Sequence, residues 1–131
     1  MNATVLFLCP HHAAKSVLAE AYFNQLAQQR KLPFRAESAG TEPDDQVSPM
    51  VVKLLLEDGM DVSGHQPKRV TANQLEQAHS IISMGCTPDE LGVESERVEM
   101  WMDVPPVSQE PQQAQSKIRA HVETLLNQLA G

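Results

Sequence analysis

Apolar residues occur along this chain in short continuous runs and in longer stripes with helical spacing. Residues 5–8 form a wholly apolar run, which is typical of a buried strand. Apolar residues then recur every three or four positions over residues 14–30, which predicts a helix that ends before Pro33. Further short segments predict three more strands, at residues 34–37, 80–84 and 98–101.

The remaining chain shows helical patterns. A second helix is expected to begin at Ser48-Pro49, because serine can cap a helix and proline is tolerated in its first turn. Shorter helical segments are expected at 72–78 and 88–91, and residues 114–129 carry a one-sided apolar stripe. Strands that alternate with helices predict an α/β fold, in which helices cover both faces of a parallel sheet. The length of 131 residues predicts one domain over residues 1–131.

Four residues with reactive or polar side chains follow the ends of predicted strands. In parallel α/β sheets, ligands bind beyond the carboxyl ends of the strands. We therefore expect these residues to gather at one edge of the molecule, although they are far apart in sequence. They are Cys9, Ser38, Cys86 and Asp103.

Composition narrows the classes of function. The net charge of −7 and the lack of a basic cluster argue against a nucleic-acid partner. The apolar runs are too short to span a membrane. Two cysteines and no export signal lead us to expect a cytoplasmic protein. No Cys-x2-Cys or His-x3-His pair occurs, so we expect no structural metal.

The first strand leads into a segment with candidate chemistry. Cys9 follows the strand, and a helical pattern begins a few residues later. A thiol that faces a helix N-terminus lies in a positive field, which favours the thiolate and a bound oxyanion. Lys15 adds a positive charge, and the Ser16 hydroxyl could donate to the sulfur. From these residues alone, a small buried thiol without a reaction remains an equal alternative.

The order of strand, Cys-x5-Lys-Ser and helix resembles the phosphate-binding loop of the low-molecular-weight protein tyrosine phosphatases and their arsenate reductase relatives. Their pattern is Cys-x5-Arg-Ser/Thr. The resemblance implies a three-layer fold with a four-stranded parallel sheet of order 2-1-3-4. It makes Cys9 the nucleophile, with Lys15 and Ser16 beside it. The phosphate-binding loop would comprise Pro10, His11, His12, Ala13 and Ala14.

Other segments extend the resemblance over essentially the whole chain. Ser38 begins a Ser-Ala-Gly-Thr turn like the one whose serine braces the phosphate loop in the family. His12 stands where the family usually has asparagine, and Ser38 and His65 could complete the network with it. Met84-Gly85-Cys86 resembles a segment of some arsenate reductases, which makes Cys86 a possible resolving thiol.

Three features depart from the family pattern. Lys15 replaces an arginine that grips two phosphoryl oxygens with a planar fork. The position of the family's general acid falls on Pro105, so Asp103, two residues earlier, is either a shifted acid or a solvated loop residue. The aromatic residues that wall the family's phosphotyrosine pocket are missing.

The resemblance implies a phosphomonoester hydrolase of the protein tyrosine phosphatase type, which acts through a cysteinyl-phosphate and needs no metal or cofactor. One alternative is an arsenate reductase that uses Cys9 with Cys86 or an external thiol. Another is a non-catalytic oxyanion-binding regulatory module. The expected ligands are phosphate, a phosphomonoester or arsenate, and a phosphoprotein substrate is left open.

Overall fold

The computed structural model describes residues 3–130. It contains four strands: β1 (Ala3–Leu8), β2 (Phe34–Ala39), β3 (Ser80–Ser83) and β4 (Val98–Met100). It contains five α-helices: α1 (Lys15–Gln29), α2 (Pro49–Glu57), α3 (Ala72–Gln77), α4 (Pro88–Leu91) and α5 (Pro111–Ala130). A 3-10 turn, Ser95–Arg97, precedes β4.

The strands form one parallel sheet in the order β2-β1-β3-β4, which confirms the predicted α/β fold and strand order. The pairs Leu8↔Ala39 and Leu8↔Ser83 bring the carboxyl ends of the first three strands to the same edge. The pair Ser83↔Met100 adds the end of β4. Segments that follow the strands therefore start side by side at this edge.

Two hydrophobic clusters lie on opposite faces of the sheet, because successive side chains of a strand point to opposite faces. Val5 and Phe7 of β1 belong to a cluster that α1, α2 and α5 cover. Leu6 and Leu8 belong to a second cluster, covered by α3 and α4. The molecule thus has three layers, and the larger part of its core lies beneath α1 and α5.

Strand β2 is longer than its apolar pattern predicts. It continues through Ser38 and Ala39, which pair with Phe7 and Leu8 of β1. Pairing with β1 therefore extends β2 beyond the residues whose own pattern favours a strand. Within residues 3–130, no helix is long and apolar enough to cross a membrane.

Candidate active site

Cys9 lies directly after β1, at the base of a cavity. Cys9 is only 5% exposed, and its Sγ lies 3.0 Å from Ser16 Oγ on the first turn of α1. The cavity has a volume of about 330 Å³. It is lined by Cys9, Pro10, His11, Ala13, Ala14, Lys15, Asp44, Ser48, Met84, Pro106, Val107 and Ser108. Most of the predicted phosphate-binding loop therefore surrounds one space above the thiol.

The segment between β2 and α2 holds this loop by its carbonyl groups. The carbonyls of Pro10, His11 and Ala13 accept hydrogen bonds from the backbone amides of Glu42, Asp44 and Ser48, at 2.7, 2.9 and 2.8 Å. These bonds use only carbonyl groups of the loop, and the His12 amide donates to the Cys9 carbonyl at 3.3 Å. Among the backbone hydrogen bonds of residues 3–130 outside regular elements, none uses the amide of Ala13, Ala14 or Lys15 as donor.

These free amides stand at the N-terminus of α1, where the first turn of any helix has donors without intrahelical partners. The helix dipole adds partial positive charge at the same place. An oxyanion in the cavity would satisfy these donors, as anions do at other helix N-termini. The geometry therefore suits an oxyanion above the Cys9 sulfur.

His12 is the one loop residue that points away from the cavity. It is 1% exposed and adopts a left-handed backbone conformation with φ of 48°. The Lys68 amide donates to its Nδ1 at 2.7 Å, so Nδ1 carries no proton and Nε2 carries the proton of the neutral ring. His12 Nε2 then donates to Ser38 Oγ at 2.6 Å, and Ser38 donates to Glu20 at 2.7 Å.

The residues predicted to brace the loop, His12, Ser38 and His65, therefore lie in contact with one another through His12. His65 Nε2 lies 3.3 Å from His12 Nε2, and the two rings meet edge to face at 5.1 Å between centroids. Burial lowers the pKa of His12 to about 4, and the nearby His65 acts in the same direction. His12 is therefore neutral near pH 7, as its hydrogen bond from the Lys68 amide requires.

Lys15 lines the cavity and donates from Nζ to the carbonyl of Val104 at 2.8 Å. An ammonium group has three N–H donors, so this bond leaves two for a ligand. The Val104 carbonyl lies in the segment between β4 and α5, so this bond ties the start of α1 to that segment.

Asp103 is not among the residues that line the cavity. Its carboxylate accepts a hydrogen bond from His121 Nε2 at 2.8 Å and lies 3.7 Å from Lys117 Nζ. The hydrogen bond from His121 lowers the pKa of Asp103, which keeps the group ionised. To donate a proton at Cys9, Asp103 would have to leave both partners on α5.

Cys86 belongs to the hydrophobic cluster on the other face of the sheet from Cys9. It is fully buried, and Ser83 Oγ bonds both its amide and its carbonyl, at 2.8 and 2.6 Å. Burial raises the pKa of its thiol, and Cys9 as a nearby charge acts in the same direction. Cys86 is not among the residues that line the cavity, and its part as a resolving thiol stays a prediction.

Two features of the cavity escaped the sequence argument. Asp44 is the only carboxylate among the described lining residues, and it lies 3.5 Å from His11 Nδ1. Its position in an acidic loop carried no particular signal. The Val104 carbonyl could not be found from sequence at all, because every residue has such a group. Within residues 3–130, no group of three or more His, Cys, Asp or Glu side chains could hold a metal ion.

Comparison with known proteins finds relatives that are named as phosphatases or as arsenate reductases. A Halobacterium salinarum protein provisionally named as an arsenate reductase is 32% identical over 119 residues, which cover 89% of this chain and 83% of that protein. The crystal structure of a low molecular weight protein tyrosine phosphatase from T. tengcongensis has a TM-score of 0.84 at 20% identity, covering 97% of this chain and 99% of the other. The structure of an arsenate reductase in the phosphate binding state has a TM-score of 0.79 at 22% identity, covering 97% and 98%.

The two solved structures have the same overall fold as this chain, and the names of the three relatives refer to a phosphatase and to arsenate reductases. Residues 4–130 match the family described as low molecular weight phosphotyrosine protein phosphatase, which is nearly the whole chain. The chain therefore belongs to the low molecular weight phosphotyrosine protein phosphatase family, which has arsenate reductases among its relatives.

Proposed function

We propose that this protein hydrolyses phosphomonoesters through a cysteinyl-phosphate on Cys9. The observation that carries the proposal is the position of Cys9 Sγ. It lies 3.0 Å from Ser16 Oγ at the base of a cavity that also receives the free amides of α1 and the Lys15 side chain. A nucleophile, an oxyanion site and a positive charge are the parts that phosphoryl transfer to a thiol requires.

In the first step, the Cys9 thiolate attacks phosphorus, an S–P bond forms, and the bond from phosphorus to the leaving oxygen breaks. The loop amides and Lys15 bind the equatorial oxygens, whose charge they stabilise. In the second step, water attacks phosphorus and the S–P bond breaks, releasing phosphate. The Ser16 hydroxyl donates to the departing thiolate.

The leaving oxygen needs a proton when the alcohol is a poor leaving group. Asp103 was the sequence-based candidate for this role and stays a prediction. Its hydrogen bond to His121 and its lowered pKa do not favour it. Asp44 already lines the cavity, so it is the nearer carboxyl group for a ligand bound there.

The lining of the cavity supports a small substrate. Apart from the imidazole of His11, the described lining residues carry no aromatic ring. A phosphotyrosine ring would find little to stack on, whereas a compact phosphomonoester needs no such wall. Recognition of a phosphoprotein would have to come from residues outside the cavity.

Arsenate reduction is the second candidate, and the 32% identical halobacterial relative favours it. Cys9 would attack arsenate with loss of hydroxide to give a thioester of arsenic(V). A second thiol would then attack the Cys9 sulfur, which leaves a disulfide and releases arsenic(III) as arsenite. Since Cys86 is buried and does not line the cavity, we propose that an external thiol supplies this step and a further thiol restores Cys9.

Product analysis separates these candidates. Phosphate release from p-nitrophenyl phosphate and arsenite release from arsenate plus a small thiol are measured for the wild type, Cys9→Ser and Cys86→Ser. We expect phosphate release that Cys9→Ser abolishes and Cys86→Ser preserves. Arsenite release without phosphate release would assign the protein to the reductases. Tight phosphate binding with neither product would make it an oxyanion-binding module.

A further inference from the structure

The Asp103 side chain contacts helix α5, and the next residue, Val104, contacts Lys15 of the candidate active site. The Asp103 carboxylate accepts a hydrogen bond from His121 Nε2 at 2.8 Å and has Lys117 Nζ at 3.7 Å. The His121 ring also stacks on Trp101, with centroids 4.6 Å apart and planes at 15°. Helix α5 therefore holds the start of the segment between β4 and α5 by a charged contact and by a ring contact.

The next residue, Val104, connects this contact with Lys15, which lines the cavity. The Val104 side chain is buried, and the Val104 carbonyl accepts the hydrogen bond from Lys15 Nζ at 2.8 Å. That carbonyl belongs to the peptide unit after Val104, so its direction depends on the backbone of Val104, which the Asp103 contact on one side and the buried Val104 side chain hold in place. Residues 106–108, slightly further on, form part of the cavity wall.

Lysine needs such external support more than arginine does. An arginine fork orients itself when it binds two oxygens, whereas a lysine ammonium is a point charge on a flexible stem. A fixed carbonyl acceptor restricts that stem before the ligand arrives, and so lowers the entropy lost on binding. The bond to Val104 is therefore suited to the residue that replaces arginine in this chain.

We propose that Asp103, held by His121, is a positioning residue that fixes the Val104 carbonyl and thereby the Lys15 ammonium for oxyanion binding. The role rests on the proposed function of the Cys9 cavity. In this role, Asp103 transfers no proton to the leaving group. Its effect is on the binding of every oxyanion, whatever the leaving group attached to it.

The test measures the affinity for inorganic phosphate, both from its stabilisation of the full chain against heat and from its inhibition of p-nitrophenyl phosphate hydrolysis. Asp103→Asn weakens the acceptor, and His121→Phe keeps a ring on Trp101 but removes the donor. We expect each variant to bind phosphate roughly two- to fivefold more weakly, the range of an ion pair that is open to solvent. The double variant should bind no more weakly than the singles, because both break one contact.

Two further variants test whether the effect is specific to Asp103 and whether it depends on Lys15. Glu123→Gln removes an exposed carboxylate elsewhere on α5 and should bind phosphate like the wild type. In a Lys15→Arg background, Asp103→Asn should have little effect, since the guanidinium orients itself on the oxyanion. A purely structural role for Asp103 would lower stability in both backgrounds alike. Unfolding without phosphate is recorded for every variant, and His121→Phe carries the test if Asp103→Asn does not fold.

The proposal is overturned if the wild type is stabilised by phosphate and both variants bind it equally well. It is also overturned if Asp103→Asn slows only phenyl phosphate, a substrate with a poor leaving group, while His121→Phe has no effect. That pattern identifies a proton donor. If phosphate does not stabilise even the wild type, the oxyanion site itself is wrong, and the proposed function fails together with the positioning role.

Discussion

Two residues near Cys9 each bond to a backbone group of a segment that is distant in the sequence. Lys15 donates to the Val104 carbonyl. His12 Nδ1 accepts a hydrogen bond from the Lys68 amide. Each side chain thus ties the start of α1 or the loop before it to another part of the fold. The consequences can be tested residue by residue.

Lys15→Ala should weaken phosphate binding about 10- to 100-fold, because one charge-assisted contact to the oxyanion is lost. Lys15→Arg should preserve or strengthen binding, since it introduces the bidentate fork. Phosphate affinity from thermal stabilisation measures both effects. Lys53→Ala removes an exposed lysine on α2 and serves as the control. Normal phosphate binding by Lys15→Ala would show that Lys15 does not act in the cavity.

The two thiols should differ in reactivity. Iodoacetamide should label Cys9 faster than Cys86, because Cys9 opens onto the cavity while Cys86 is fully buried with a raised pKa. The variants Cys86→Ser and Cys9→Ser each leave one thiol, so mass spectrometry gives each rate separately. Phosphate should slow the labelling of Cys9 alone. Equal rates in the two variants, without protection, would remove the support for Cys9 as a nucleophile.

At the scale of elements, the end of β2 and the loop after β1 are packed backbone against backbone. A Cβ at Gly40 would lie 2.6 Å from the carbonyl oxygen of Pro10, 2.7 Å from that of Cys9 and 2.9 Å from the amide nitrogen of His12. None of these atoms belongs to a flexible side chain that could move aside. The shape of the loop after β1 therefore depends on Gly40 in the neighbouring segment.

Gly40→Ala should destabilise the protein by about 1–3 kcal/mol, the usual cost of overpacking, and should weaken phosphate binding as the loop shifts. Chemical denaturation and phosphate titration measure the two effects. Gly64→Ala is the matched control, because no described atom lies within 4 Å of its added Cβ. Equal behaviour of the two variants would mean that the loop can move without loss of function.

At the scale of the whole molecule, a buried polar network joins segments from distant parts of the chain. It links the loop after β1 to β2 through Ser38, to α1 through Glu20, and to the 65–68 segment through His65 and the Lys68 amide. His12 lies at the centre of this network. Its ring must be neutral there, because Nδ1 can accept the Lys68 amide hydrogen bond only when it carries no proton. Protonation of this ring therefore opposes the folded state.

The stability of the protein should fall in mild acid because of His12. Its pKa is about 4 in the folded protein against 6.5 ordinarily. Between these values the unfolded chain binds a proton that the folded protein does not, so the contribution of His12 is complete above pH 6.5 and is lost as the pH falls to about 4. A shift of this size corresponds to about 3 kcal/mol in the free energy of unfolding.

His12→Asn should reduce this loss, since asparagine does not titrate and tolerates the left-handed conformation. The free energy of unfolding from urea denaturation at pH 7 and at pH 4.5 measures the difference. His79→Asn removes an exposed histidine and should leave the pH dependence as in the wild type. Parallel pH profiles for the wild type and His12→Asn would show that His12 does not control acid stability.

The sequence alone determined the kinds of elements, and with the family resemblance it also determined the strand order. Apolar periodicity is local, because strands and helices repeat over two and 3.6 residues. The Cys9-to-Ser16 segment was recognised for the same reason, since the nucleophile, the lysine and the hydroxyl lie within one loop and the helix turn that follows. The sequence also predicted that the strand ends meet at one edge, because the carboxyl ends of parallel strands lie on the same side of a sheet.

Only the tertiary structure decided which of the gathered residues face one another. Cys9 packs in the cluster on one face of the sheet and Cys86 in the cluster on the other, although both follow strand ends. Asp103 pairs with His121, 18 positions later in the chain, and the Lys15 partner is a carbonyl 89 positions away. Such contacts depend on how helices pack across the sheet, and a backbone carbonyl has no signature in the sequence. The physical reason is that local pattern specifies elements, whereas the site is completed by contacts between elements.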